Sequence, residues 1–330
     1  MSASSGTLEG VRRYCADVSA TSHLVHLDIS RLEAYADTLV APVAQLTRDR
    51  PSAEAVTADG SAGDPWAVDR PRAEHDLEGV TALVVALATV NFGSGWHPVI
   101  RKRPGLSGAT SMATRLREHA ERAWPLRADQ LASFTTADAH DVFEQPTDNP
   151  DVGELMGHFA AALRELGAFV ENHHDGSFVG LVDAAGGSAD RFVGTLATLS
   201  TFADVGFYKR AQLAAADLDR AWPTPPFVDL DQLTAFADNL VPHVLRVDGV
   251  LRYNPELAAA IDAGRLIGAG SCEEVEIRAN GVHAVELLVR ALGRHRVATR
   301  ASDLDLILWE RGGGPTYKAI RRHRARSVYY

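Results

Sequence analysis

Cysteine is nearly missing from this chain: Cys15 and Cys272 are the two in 330 residues, far apart and without CxxC or Cys/His spacing. Neither a disulfide framework nor a structural zinc site is indicated, and a reducing, cytoplasmic setting is the default. Basic charge is in the minority, with 33 Lys and Arg against 43 Asp and Glu and a net charge of −10. Nucleic-acid binders need basic surface to displace counterions, so a polyanion partner is disfavoured and a small substrate, one carrying a positive group, fits better. Long apolar runs are lacking too. The strongest extends from Val80 to Val90, well short of the roughly twenty residues that span a bilayer, and reads as a buried helix. Residues 1–9 are small and polar with no basic start and no apolar segment, which predicts no secretory signal. HExxH, a Gly-rich loop with GK[ST] and GxSxG are all absent.

What remains is ordinary for a globular chain, since 46% apolar residues can furnish a proper core. Apolar residues recur at helical spacing nearly throughout, and no stretch shows the sustained alternation of a sheet. The expected fold class is all-α, a compact multi-helix domain over 1–330. Helices are expected over 31–46 with Ser30 as N-cap, then over 77–89, 107–124, 128–134, 151–166, 176–183, 189–199 and 207–222. Segments 231–236, 240–247, 255–263, 272–292 and 303–311 complete the series, many opened by Ser, Asp or Pro. Residues 48–74, rich in Pro, Gly, Ala, Ser, Asp and Arg, read as a surface loop or a poorly ordered connection.

Two aspartates in unlike settings stand out. Asp305 lies in Leu304-Asp305-Leu306-Ile307-Leu308-Trp309, where its neighbours must desolvate it in part, a costly state unless something charged or hydrogen-bonding meets it. One explanation is structural, a capping box in Ser302-Asp303-Leu304-Asp305. The functional one is a cleft edge shared with Glu310, roughly 140° round the helix. Asp238, in Phe236-Ala237-Asp238-Asn239, reads as the N-cap of 240–247 or as a carboxylate beside helix N–H groups that could hold a ligand.

Other candidates carry similar alternatives. Lys209 and Arg210 open an Ala-rich helix, as a solvated face or as the cation pair that a phosphate monoester needs. Phe92 and Trp96 flank Gly93-Ser94-Gly95, as core residues or as stacking faces for a flat heterocycle. Gly312-Gly313-Gly314-Pro315 reads as a helix stop. The basic run 321–326 reads as surface, while the ending Ser327-Val328-Tyr329-Tyr330 is too aromatic for a loose tail.

Taken in order, Asn91-Phe92-Gly93-Ser94-Gly95-Trp96, Gly176-Ser177-Phe178, Phe207-Tyr208-Lys209-Arg210-Ala211-Gln212, Phe236-Ala237-Asp238, Glu274-Val275-Glu276-Ile277-Arg278-Ala279, Asp305-Leu306-Ile307-Leu308-Trp309 and Val328-Tyr329-Tyr330 resemble the queuosine salvage family. These are the queuosine 5′-phosphate N-glycosylase/hydrolases, and the resemblance runs from about Leu77 to the last residue. It implies an all-helical enzyme similar in fold to helix-hairpin-helix DNA glycosylases, cutting queuosine 5′-monophosphate to queuine and ribose 5-phosphate without metal or organic cofactor. The freed queuine is the base that tRNA-guanine transglycosylase inserts into tRNA. By position Asp305 matches the family's active-site carboxylate. Phe236, Ala237, Asp238, Leu306 and Glu310 match positions near the base, and His75 a base-contacting histidine. A glycosylase acting on another base, or a nucleotide-binding protein without turnover, are the competing readings.

These residues suit that chemistry. Breaking a ribosyl C–N bond builds positive charge on the sugar, so an ionised carboxylate beneath it gains more in the transition state than in the ground state. A 7-deazapurine lacks N7, the usual protonation site of a departing purine, so stabilising the sugar cation must do more. Asp305 can serve as nucleophile, electrostatic stabiliser or base for water, with Leu304, Leu308 and Trp309 lowering the local dielectric. Asp238 or Glu310 would meet the secondary amine and diol of queuine, and Lys209 with Arg210 would hold the 5′-phosphate.

Overall fold

The computed structural model describes residues 6–49, 75–123 and 125–330. Residues 50–74 of the expected loop, and Trp124, lie outside them. In chain order the elements are α1 (Thr7–Thr21), β1 (Val25–Leu27), α2 (Ile29–Asp49), α3 (Leu77–Thr89), α4 (Gly108–Arg122), α5 (Ala128–Ala132), α6 (Thr136–Val142), α7 (Pro150–His174) and α8 (Phe178–Asp183). They continue with α9 (Ala189–Leu196), α10 (Lys209–Ala221), α11 (Val241–Val247), β2 (Leu251–Tyr253), α12 (Pro255–Asp262), α13 (Cys272–Arg294), α14 (Ala301–Gly312) and α15 (Pro315–Lys318). The architecture is thus mostly helical. The described residues form two compact units, one from 6–49 with 231–325, the other from 75–230 with 326–330.

In the first unit α13 is the spine, lying along α1 and α2. Its buried Ile277, Val285, Leu288 and Leu292 face Leu8, Val11 and Cys15 of α1 and Leu32, Tyr35 and Leu39 of α2. Asp28, not Ser30, caps α2: its side chain accepts the Arg31 N–H at 2.9 Å and its carbonyl accepts Leu32 N–H. The sheet that the sequence gave no sign of is a pair of three-residue antiparallel strands, with Val25 opposite Tyr253 and Leu27 opposite Leu251. Strands that short leave too little alternation to read. The helix expected over 231–236 does not form. A 3-10 turn, Leu230–Gln232, is followed by an irregular strap over 233–238 whose backbone groups are claimed by side chains from elsewhere.

The second unit is built round α3, buried from Gly79 to Thr89. A helix apolar on all sides is stable only when enclosed, and α4, α7, α8 and α10 enclose it. Its polar atoms are all turned inward to partners: Thr89 Oγ1 donates to Val85 O at 2.7 Å, and Trp222 Nε1 donates to Thr81 Oγ1 at 3.0 Å. The run expected over 151–166 continues to His174, where Asp175 in the left-handed region (φ 51°) ends it. Three helices were not anticipated, the shortest being α15, which starts at the Pro315 of the expected stop Gly312-Gly313-Gly314-Pro315. α1 has only three buried positions, and α6 announces itself by a capping box between Thr135 and Asp138, a signal present in the sequence.

Gly281 on α13 and Gly312 on α14 let α11 approach both helices at backbone distance. A Cβ on Gly281 would stand 2.7 Å from Pro242 Cγ, and one on Gly312 would stand 2.7 Å from Leu240 Cδ1. Alanine normally gains about 1 kcal/mol over glycine inside a helix, but overpacking against a rigid proline ring costs about 1–3 kcal/mol. Gly281→Ala is therefore expected to lower stability by about 1 kcal/mol in urea unfolding. Gly157→Ala on α7, where nothing lies within 4 Å of the added carbon, is the control that should not.

Candidate active site

Asp305 sits at the seam of α14. On one side of it Ala301, Leu304, Leu308 and Gly312 form the buried stripe; on the other, Leu306 is half-buried and Trp309 and Glu310 are exposed. Asp305 itself is only 5% exposed. The capping-box reading fails, because α14 begins at Ala301 after Arg300 and Asp305 already lies in its second turn. Its Oδ1 instead accepts the backbone N–H of Phe236 at 2.9 Å. A carboxyl group held by a peptide N–H and backed by apolar side chains is fixed in orientation within a low-dielectric setting. Trp309, 40% exposed, flanks it on the open face and is no part of the buried wall.

The strap that supplies this N–H is also held at the neighbouring residue. Arg278 Nε donates to Ala237 O at 2.9 Å, and Arg278 pairs with Glu274 at 3.2 Å, both side chains buried on α13. Asp238, half-buried, accepts the N–H groups of Leu240 and Val241 at 2.7 and 3.2 Å. Because α11 starts at Val241 with Leu240 as its N-cap, Asp238 braces the turn leading into the helix from two residues before the cap instead of filling the cap position expected of it. Phe236, Ala237, Asp238 and Asp305 are thus brought together within one unit, with Leu306 and Glu310 on the same helix as Asp305.

The far end of α14 is tied down as well. Asp248 accepts from Tyr35 Oη at 2.6 Å and from Tyr317 Oη at 2.9 Å, and Arg311 Nη1 donates to Tyr35 Oη at 2.8 Å. Burial first, then the Asp248 hydrogen bond, push the Tyr35 hydroxyl above its ordinary value. Close by, Asn239 donates to the carbonyl of His323 at 3.2 Å. His323 is buried, so the basic run 321–326 is not uniformly surface. Desolvation, aided by Arg278, Arg322, His243 and Arg246, holds its imidazole down to about 3. Arg322 is exposed and lies within electrostatic reach of Asp238.

In the second unit the cations are not a solvated face. Lys209, 5% exposed, donates from Nζ to Asn91 Oδ1 at 2.9 Å and to Asn91 O at 3.2 Å. Arg210, 1% exposed, donates to the carbonyls of Thr89 and Thr201, its guanidinium 4.8 Å from the ring centroids of both Phe92 and Phe202. Desolvation lowers its pKa to about 9, with Asp204, Tyr329 and Glu165 opposing. Phe92 and Trp96 are both core residues. Phe92 meets Phe159 edge-on at 4.9 Å, while Trp96 donates to Glu154 at 2.8 Å under Arg326. The ending of the chain is docked as its aromatic character suggested, Gly93 N–H reaching Tyr330 O at 3.1 Å. His75 is exposed, just before the α3 cap Asp76. Among the described residues no group of His, Cys, Asp and Glu could hold a metal ion.

The family described as Queuosine salvage protein matches residues 81–330. This chain belongs to it. The queuosine 5′-phosphate N-glycosylase/hydrolase of Sphaerobacter thermophilus is 35% identical over 271 residues, 77% of this chain and 82% of the relative. Proteins of the same name from Dictyostelium discoideum and Mus musculus are 31% and 29% identical, each over 62% of this chain. The chain spans 65% and 66% of their lengths, just under two thirds.

In the fold the block Glu274-Val275-Glu276-Ile277-Arg278 acquires a geometric reason. Residues four apart share a helix face, so Glu274 and Arg278 turn to the strap while Glu276 and Asn280 turn to the opposite side. There Glu276 accepts the N–H groups of His23, Leu24 and Val25 at 3.1, 2.7 and 3.0 Å, and Asn280 bonds Ser19 and Ser22. The i,i+4 Glu–Arg spacing is legible in sequence; its target, a carbonyl forty-one positions away in the chain, is not.

Proposed function

We propose that this chain hydrolyses the N-glycosidic bond of queuosine 5′-phosphate, releasing queuine and ribose 5-phosphate for reuse of the base in tRNA modification. The observation that carries the reading is Asp305: a carboxylate shielded by Leu304 and Leu308, fixed by Phe236 N–H, and placed beside the open face of α14. As the C–N bond lengthens, charge accumulates on the ribose ring, and a pre-oriented anion in a dry setting stabilises it without reorganising. An oxygen already accepting a peptide N–H is a weakened nucleophile, which favours the electrostatic role over a covalent one. Water then adds to the anomeric carbon and the base leaves with a proton. Phe236, Ala237, Leu306, Glu310 and the remaining acceptor capacity of Asp238 are the proposed contacts of the base and its cationic amine. The names of the relatives support this substrate.

The direct test is incubation of the purified chain with queuosine 5′-phosphate and chromatographic detection of queuine and ribose 5-phosphate. Absence of both products at micromolar enzyme would overturn the reading. The proposed kinship with helix-hairpin-helix glycosylase folds rests on the helical architecture, and the proposed reducing, cytoplasmic setting on Cys15 and Cys272, both free thiols. Among the described residues no helix is long and apolar enough to cross a membrane.

A further inference from the structure

We infer that Arg278 is a positioning residue for catalysis: by holding the carbonyl of Ala237 it fixes the chain so that the backbone N–H of the residue before it, Phe236, points at the Asp305 carboxylate. The inference rests on the proposed role of Asp305. Three observations carry it. The strap over 233–238 has no helix or strand to fix its peptide planes, so side chains must do so. Arg278 Nε meets Ala237 O at 2.9 Å, and one residue back Phe236 N meets Asp305 Oδ1 at 2.9 Å. Arg278 is itself immobilised, since it and Glu274 are buried and paired at 3.2 Å, and Glu274 in turn accepts the Gly270 N–H at 2.8 Å. Only a planar guanidinium can serve Glu274 and the Ala237 carbonyl from different edges at once; an ammonium is a point donor.

The two hydrogen bonds lie on adjacent residues of one short chain segment, so they are mechanically coupled. Releasing Ala237 lets the strap relax and takes the Phe236 N–H off line. A carboxylate that loses a donor is less stable in its ionised form, so its titration moves upward. Charged and titratable groups round the strap among the described residues include Glu274 on α13, Asp238 within it, Arg12, which donates to Gln232 O at 2.7 Å, buried His323, which feels the charge of Arg278, and Arg322 beyond it.

The test uses Arg278→Lys, which leaves Glu274 a cation, and the double variant Glu274→Gln/Arg278→Gln, which removes both charges should the single variant fold poorly. Each is assayed on queuosine 5′-phosphate across pH, with folding checked by circular dichroism and urea midpoint. The expected result is a fall in kcat of about tenfold or more with KM within about threefold, and an acid limb of the kcat profile displaced upward by about half a pH unit or more. A folded variant whose acid limb stays with that of the unaltered protein overturns the inference, whatever its kcat, because a merely structural defect lowers the amount of active enzyme without moving the limb. Asp305→Asn, run alongside, separates the two claims: full activity there defeats the underlying reading instead.

Discussion

Asp305→Asn is expected to lower kcat for queuosine 5′-phosphate hydrolysis by about 10³-fold and to leave the fold in place. The substitution changes charge and almost nothing else. Asparagine has the same shape, and its amide oxygen can still accept the Phe236 N–H now 2.9 Å from Asp305 Oδ1. Stability should hold or rise slightly, since burying a carboxylate beside Leu304 and Leu308 is costly and the amide relieves that cost. The loss falls on the transition state, where the positive sugar no longer faces an anion. Single-turnover release of queuine, read beside urea midpoints, checks both halves. A folded variant that keeps turnover within about tenfold would show that the charge of Asp305 is not what the reaction uses.

Acid is expected to loosen the first unit through His323. Its imidazole is held at about 3 in the folded chain against 6.5 when exposed, by desolvation first and then by Arg278, Arg322, His243 and Arg246. The group therefore binds its proton more readily in the unfolded chain. Its contribution is fully present above 6.5 and is lost progressively as pH falls from 6.5 towards 3. At pH 5 the loss relative to pH 7.5 amounts to about 2 kcal/mol. His243, also lowered by burial, adds in the same direction. His323→Gln removes the first contribution alone, so unfolding free energy should fall less steeply between pH 7.5 and 5 in the variant. Identical slopes would mean that His323 does not carry the acid sensitivity.

Much of the architecture was legible because it is governed by local rules. The all-round apolar run of α3, the Ser107, Ser177 and Ser271 caps, and the Pro150 and Pro255 starts are short-range signals that tertiary contacts did not override. The strap was misread as helix because its apolar spacing is real but its peptides are committed to Asp305 and Arg278, partners with no local trace. Lys209 and Arg210 illustrate the same limit. Their charge leaves a solvated face or a phosphate-binding pair as the readings from sequence, whereas carbonyls and aromatic rings distant in sequence make burial tolerable. Asp305 was the reverse case. Of its apolar neighbours in sequence Leu304 and Leu308 are buried with it while Trp309 is exposed, so its oddity could be seen without a structure.

The division of labour in residues 236–238 separates two properties that are usually entangled in enzymes. Main-chain atoms there answer to Asp305 and Arg278, so a change of side chain at Phe236 or Ala237 that the surrounding packing accepts leaves both hydrogen bonds in place. On the proposed function, substitutions at those two positions would alter the preference among modified nucleobases while the charge of Asp305 stays as it is.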